Sequence, residues 1–174
     1  MPRIRIGIVG VGDCCSSLVQ GISSYKNGDF VGIRFHDFRG YKPSDIEFTA
    51  AFDIDSLKVG KDLSEAIFAE TNRYGKVADV EHLGVTVQKG EVYDGVGEYL
   101  RDQIKVDERP SVNVAEELKR TKTEIVINFL PTGAIQASRW YAEQAISAGC
   151  AFINATTTEI ASSREWARRF EEAK

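Results

Sequence analysis

A strand-like run that ends in two closely spaced glycines, directly before a helix-like run, constrains this chain more than any other feature. Residues 4–10 read Ile-Arg-Ile-Gly-Ile-Val-Gly. Apolar content without a breaker fits a strand buried on both faces of a parallel sheet. Gly10-Val11-Gly12-Asp13-Cys14-Cys15 follows, and then a helix over residues 14–25 with Leu18, Val19 and Ile22 on one face. Strand, glycine turn and helix in this order form the fingerprint of a dinucleotide-binding βαβ unit. Gly10 permits the tight turn. Gly12 lets the backbone approach a pyrophosphate, whose charge then meets the helix N-terminus. The third fingerprint position, normally Gly or Ala, is Cys15, which is also small.

The rest of the chain repeats the strand–helix alternation. Asn27-Gly28-Asp29 closes the first helix, and residues 30–44, broken by Gly32, Gly40 and Pro43, read as a loop or inserted hairpin. Residues 46–52 form the next strand, and Asp62 caps a helix over 63–69. A polar surface loop over 70–80, a short strand over 83–87 and a partly helical stretch over 94–103 come next. Residues 105–110 are a charged connector. Asn113 and Glu116 are spaced as a capping box for a helix to Thr121. Residues 125–130 are a third clear strand, stopped by Pro131-Thr132-Gly133. A helix over 135–148 places Ile135, Ser138, Tyr141, Ala142, Ala145 and Ile146 on one face and ends at Gly149. Residues 150–155 are a fourth strand. Ser162 and Glu165 are spaced as a second capping box, opening a helix through Trp166 and Phe170 to the end. This order predicts an α/β, Rossmann-type, doubly wound and mainly parallel sheet over residues 1–174.

Composition removes several alternatives. The 174 residues carry a formal charge of -4, whereas a nucleic-acid surface is basic, so no nucleic-acid partner is expected. No apolar run approaches a bilayer span, and the N-terminus leads into a strand with no cleavage site, so the expectation is a cytoplasmic protein with no membrane partner. Cys14, Cys15 and Cys150 are an odd and partly adjacent set, which reads as small buried residues rather than a disulfide framework; a helix N-terminus would make Cys14 the reactive one. His36 and His82 have no metal-ligand spacing, so no metal site is expected. Lys58, Lys61, Lys76, Lys89, Lys119 and Lys122 fall in polar, loop-like or helix-surface contexts without a catalytic setting. Arg164, Arg168 and Arg169 read as a solvated face.

Three strand ends supply candidate ligand groups. Asp53 closes the second strand, where a carboxylate accepts from the adenosine ribose hydroxyls and repels a 2′-phosphate, favouring NAD over NADP; Asp55 is the competing carboxylate. Its separation from the glycines exceeds the usual spacing of about 20 residues, and the 30–44 insertion accounts for the excess. Asn128 to Gly133 and Asn154 to Thr157 end two later strands, and ligands of open α/β sheets lie beyond such ends. Local turn bonding is the other reading of both asparagines.

The segment from Gly10 to Gly21 (Gly-Val-Gly-Asp-Cys-Cys-Ser-Ser-Leu-Val-Gln-Gly) resembles the opening of the bacterial and archaeal inositol-phosphate synthases. Ala50-Ala51-Phe52-Asp53-Ile54-Asp55, Lys58-Val59-Gly60 and Asp62-Leu63-Ser64 continue the resemblance. So do Leu130-Pro131 with Gly133, Phe152-Ile153-Asn154-Ala155, Ile160-Ala161-Ser162 and Trp166-Ala167. The resemblance spans the whole chain and is most specific in its first third. It implies NAD, and it implies conversion of glucose 6-phosphate to myo-inositol 1-phosphate by oxidation at C5, enolisation, intramolecular aldol closure and re-reduction. It places Gly10, Gly12, Asp13, Cys14, Asp53, Asn128, Leu130, Pro131, Asn154 and Ala155 around the cofactor.

Three departures stand out. Asp13 replaces the family's usual Asn, and a carboxylate beside a pyrophosphate is unfavourable unless paired or turned away. Thr156-Thr157-Thr158-Glu159 replaces a stretch that usually carries Pro and Phe. Family members are also much longer. The resemblance assigns catalytic lysine, the glucose 6-phosphate site and homo-oligomer contacts to the additional part, so this chain is expected to be the N-terminal, cofactor-holding portion and inactive alone. A standalone NAD-binding module and an oxidoreductase for another sugar phosphate are the alternatives.

Overall fold

The computed structural model describes residues 3–96 and 102–173. Five strands form one sheet: β1 (Ile4–Val9), β2 (Ile46–Asp53), β3 (Val87–Lys89), β4 (Ile125–Asn128) and β5 (Ala151–Asn154). Their order is β3-β2-β1-β4-β5 and every pairing is parallel. The chain therefore builds outward from β1 in one direction, then returns to add β4 on its other side. Such a reversal opens a crevice at the carboxyl ends of the two central strands.

Among the described residues the helices are α1 (Asp13–Lys26), α2 (Leu63–Ala66), α3 (Val114–Arg120), α4 (Ile135–Ala148) and α5 (Arg164–Glu172). Side chains alternate across the sheet, and both faces are covered. Ile6, Ile8, Phe48 and Ala51 pack with Val19 and Ile22 of α1 and with Leu63 and Ala66 of α2. Val9, Ala50, Phe52 and Val126 pack on the opposite face with Val114 and Leu118 of α3 and with Tyr141 and Ala145 of α4. This two-sided burial is why β1 and β2 read as near-continuous apolar runs. A smaller cluster of Ala142, Ile160 and Trp166 fastens α5 to α4, helped by Arg169, which lies over the Trp166 ring at 4.3 Å and pairs with Glu143 at 3.1 Å. Arg169 is thus part of a helix contact, while Arg164 and Arg168 are exposed.

Several boundaries differ from the sequence expectation. The third strand is Val87–Lys89, not 83–87, because Leu83 and Val85 donate their amides to Asp62 instead. The α5 cap is Ser163 without a side-chain bond, so the Ser162–Glu165 box is not formed. Ile135 is 46% exposed, and α4 buries Ala137, Ser138, Tyr141, Ala142 and Ala145. Residues 70–80 lack regular structure as expected. They are nonetheless anchored: the buried Gln20 side chain accepts from Val77 and Ala78 and donates to the Gly75 carbonyl. The partly helical stretch expected over 94–103 lies in good part outside the described residues. Gly149 ends α4 in the left-handed region at φ 74, as its position predicts. Among the described residues no helix is long and apolar enough to cross a membrane.

Candidate cofactor site at the strand ends

The register of the sheet brings the strand ends level. Val9 pairs with Phe52 on one side and with Asn128 on the other, and Asn128 pairs with Asn154. Gly10 leaves β1 at φ 85, and its amide donates to the Phe52 carbonyl at 2.9 Å. A Cβ on Gly10 would stand 3.1 Å from the Phe129 backbone and 3.2 Å from the Leu130 nitrogen. Both the dihedral and the close approach to the next strand require glycine here.

Gly12 differs. Its φ of -93 suits any residue, and a Cβ there would meet nothing within 4 Å. It caps α1 with no side-chain bond, so the first amides of a 14-residue helix have no side-chain cap. These amides open on a cavity of about 280 Å³. Space at Gly12 and uncapped helical amides together form a cradle that a side chain would fill and an anionic group fits.

Of the residues expected around the cofactor, Gly10, Gly12, Asp13, Cys14 and Asp53 line this cavity, as do Leu130 and Pro131. Asn128, Asn154 and Ala155 do not. Asn128 is fully buried and donates to Asn154 Oδ1 at 2.9 Å, while its own Oδ1 accepts from the Leu130 amide at 3.2 Å. Asn154 donates to the carbonyls of Thr156 and Thr158 at 3.2 and 2.7 Å. The two asparagines shape the turns that follow β4 and β5, which is the local-bonding reading of the sequence.

Asp53 sits at the centre of the site. Its Oδ2 accepts from the Val11 amide at 2.7 Å, and its Oδ1 accepts from the Ile54 and Asp55 amides at 2.7 and 2.9 Å. Asp55, its rival in the sequence, is fully buried, accepts from Leu57 and from the Thr71 hydroxyl, and does not line the cavity. Asp13 is committed to the 70–80 loop: its Oδ1 accepts from the amides of Arg73 and Tyr74 at 2.7 and 2.8 Å. Two backbone donors therefore pair this carboxylate.

Several lining residues carried no sequence signal. Lys58 is only 4% exposed, so its assignment to a polar surface context is corrected: it lies between Asp53 and Asp55. Asn72 lines the wall and donates to the Val11 carbonyl at 3.1 Å, tying the 70–80 loop to the glycine turn. Tyr93 and Ile104 also line it. Tyr93 packs on Trp140, which meets Tyr141 edge-on, and Tyr141 contacts Phe52. Burial, with Asp53 and Glu91 adding to it, pushes the Tyr141 phenol far above its usual value, so it stays neutral. Burial likewise pushes the Cys15 thiol up, with Asp53 contributing, which fits its packing role at the third fingerprint position. Cys14 is exposed.

A second helix N-terminus stands nearby, that of α4, and it is already occupied. Asp94 accepts from the amides of Gln136 and Ala137 at 2.8 and 3.0 Å. Burial alone would raise its carboxyl, but these bonds outweigh that and hold it below the usual carboxylate range. Of the two helix starts, only that of α1 is left uncapped by a side chain.

No family model matches the chain. An inositol-3-phosphate synthase of Mycolicibacterium smegmatis is 46% identical over 175 residues, which cover 98% of this chain and 48% of that protein. The inositol-3-phosphate synthase of Corynebacterium glutamicum is 42% identical over 174 residues, again 98% and 48%. The chain thus spans about half the length of the curated relatives it matches. Among solved structures, a crystal structure of Ari2 matches with a TM-score of 0.82 at 31% identity, covering 98% of this chain and 52% of that one. A myo-inositol-1-phosphate synthase-related protein from Thermotoga maritima matches with a TM-score of 0.67 at 20% identity over 98% of this chain and 51% of that one, a likeness of fold alone.

Proposed function

This chain is a homologue of the inositol-3-phosphate synthases, and from that premise we propose that its strand-end cavity holds NAD for conversion of glucose 6-phosphate to myo-inositol 1-phosphate. The observation that carries the reading is the meeting of the Gly10–Gly12 turn, the uncapped start of α1 and the Asp53 carboxylate in one cavity. In this reading the α1 amides take the pyrophosphate, Gly12 leaves room for it, and Asp53 accepts from the adenosine ribose. Leu130 and Pro131 form the wall beyond β4. Asn128, Asn154 and Ala155 act at one remove, by shaping the turns beside the nicotinamide end. The cofactor supplies reversible hydride acceptance at the sugar carbon. The protein's share is to position the ring and exclude water until the hydride returns.

The sugar-phosphate site and the subunit contacts of a homo-oligomer are assigned to the part of the relatives that this chain does not match. Calorimetric titration tests the cofactor half directly. Saturable one-to-one binding of NAD, with weaker binding of NADP, is expected. Absence of NAD binding overturns the reading. The sugar half is tested by following myo-inositol phosphate production from glucose 6-phosphate by the complete native protein.

A further inference from the structure

A role for Lys58 emerges from counting the hydrogen-bonding capacity of Asp53. An ionised carboxylate offers about four lone-pair sites. In Asp53, Oδ1 already accepts from the Ile54 and Asp55 amides, and Oδ2 accepts from the Val11 amide. One acceptor site remains, on Oδ2. A ribose presents two neighbouring hydroxyls, so Asp53 can take the proton of one and not of both.

Lys58 is a candidate for the other. Its side chain is 5% exposed and forms part of the cavity wall. Its Nζ lies 4.0 Å from that same Oδ2 and 3.7 Å from Asp55 Oδ2. Both are charge contacts, longer than the roughly 2.7–2.9 Å of a direct ammonium–carboxylate hydrogen bond. Asp55 is committed elsewhere, with Oδ2 accepting from Thr71 at 2.6 Å and Oδ1 from Leu57 at 3.0 Å. Among the described residues the Lys58 ammonium donates no hydrogen bond. The ammonium lines the cavity with its donors uncommitted, so a group bound there can accept from it.

We propose that Lys58 is a ligand-binding residue that donates to the ribose hydroxyl Asp53 leaves unmatched, so that a carboxylate–ammonium pair reads the vicinal diol of the cofactor. This rests on the NAD reading above. It adds that the diol is recognised by one acceptor and one donor, 4.0 Å apart. Neutralising Asp53 and the buried Asp55 would be a purely structural role, and it would not distinguish one hydroxyl from another.

The test is a binding cycle between Lys58→Met and NAD analogues lacking either the 2′- or the 3′-hydroxyl of the adenosine ribose. In the wild-type chain, removing the hydroxyl that Lys58 contacts is expected to weaken binding roughly tenfold. In Lys58→Met the same analogue is expected to bind as well as NAD itself. Independent losses that multiply for both analogues overturn the assignment while leaving the NAD reading intact. A wild-type chain that binds no NAD overturns both. A second measurement needs no variant, and so survives a failure of Lys58→Met to fold. In lysine-labelled wild-type protein, the Lys58 ε-carbon resonance is expected to move with NAD and to move less with one of the two analogues. Equal shifts with NAD and both analogues overturn the proposal.

Discussion

The Asp53 carboxylate reaches across from β2 to the amide of Val11, the residue between the two glycines, at 2.7 Å. One side chain thereby fixes the glycine turn and faces the cavity that the turn opens. Asp53→Ala would strip an acceptor from three backbone amides at once. A loss of about 1–3 kcal/mol in stability is expected, together with weaker NAD binding and relaxed discrimination against NADP. Urea unfolding and paired titrations with the two cofactors check this. Wild-type stability in the variant would remove Asp53 as the fastener of the turn.

The two glycines should separate cleanly. Gly10→Ala meets both a left-handed dihedral and the Phe129 backbone, so lower stability is expected. A Cβ at position 12 would meet nothing within 4 Å and the φ is ordinary, so Gly12→Val should melt within a few degrees of wild type. It should nonetheless lose NAD, because the added methyls enter the space in front of α1. If Gly12→Val still binds NAD, the cradle is not where the pyrophosphate lies.

Asp13 holds a loop. Asp13→Ala should free the amides of Arg73 and Tyr74, and Asp13→Asn, which keeps an acceptor oxygen, should largely hold them. Amide hydrogen exchange at those two residues reads the difference. Equal protection in all three proteins would show that Asp13 does not hold those two amides.

Asp62 gives the fold an acid-sensitive joint. Burial would raise its carboxyl, but hydrogen bonds from Ser64, Leu83 and Val85 outweigh that and hold it below the usual range. A folded-state value below the unfolded one means its contribution is present above the unfolded value, near about 3.9, and fades as pH falls through the folded value. Wild type should therefore lose stability relative to Asp62→Asn as pH drops below about 4. Parallel denaturant midpoints from pH 6 to pH 2 test this; curves that stay parallel would exclude the Asp62 contribution.

Much of the architecture was legible because its signals are local. β1 and β2 announce themselves by apolar runs that burial on both faces demands, and α4 by its period and its Gly149 stop. Asn113 caps α3 through the Glu116 amide at 3.2 Å, as its spacing predicts. The short elements were harder. β3 has only three residues, and its register depends on the Asp62 carboxylate drawing Leu83 and Val85 off the ladder. Neither residue's own sequence neighbourhood encodes that pull.

By itself the sequence determined the parallel α/β frame, the glycine turn and the carboxylate at the end of β2, because each is dictated by backbone sterics or by burial within a few residues. Tertiary structure alone decided which polar groups line the strand-end cavity. Lys58 reads as a lysine in a polar context until the fold buries it beside Asp53 and Asp55, and Asn128 and Asn154, for which the sequence leaves ligand contact and local turn bonding open, bond each other across adjacent strands. Asp94, far along the chain, becomes the cap of α4 only in three dimensions. Hydrogen-bond partners of buried polar groups are set by distances between elements remote in sequence, and no local pattern specifies those distances.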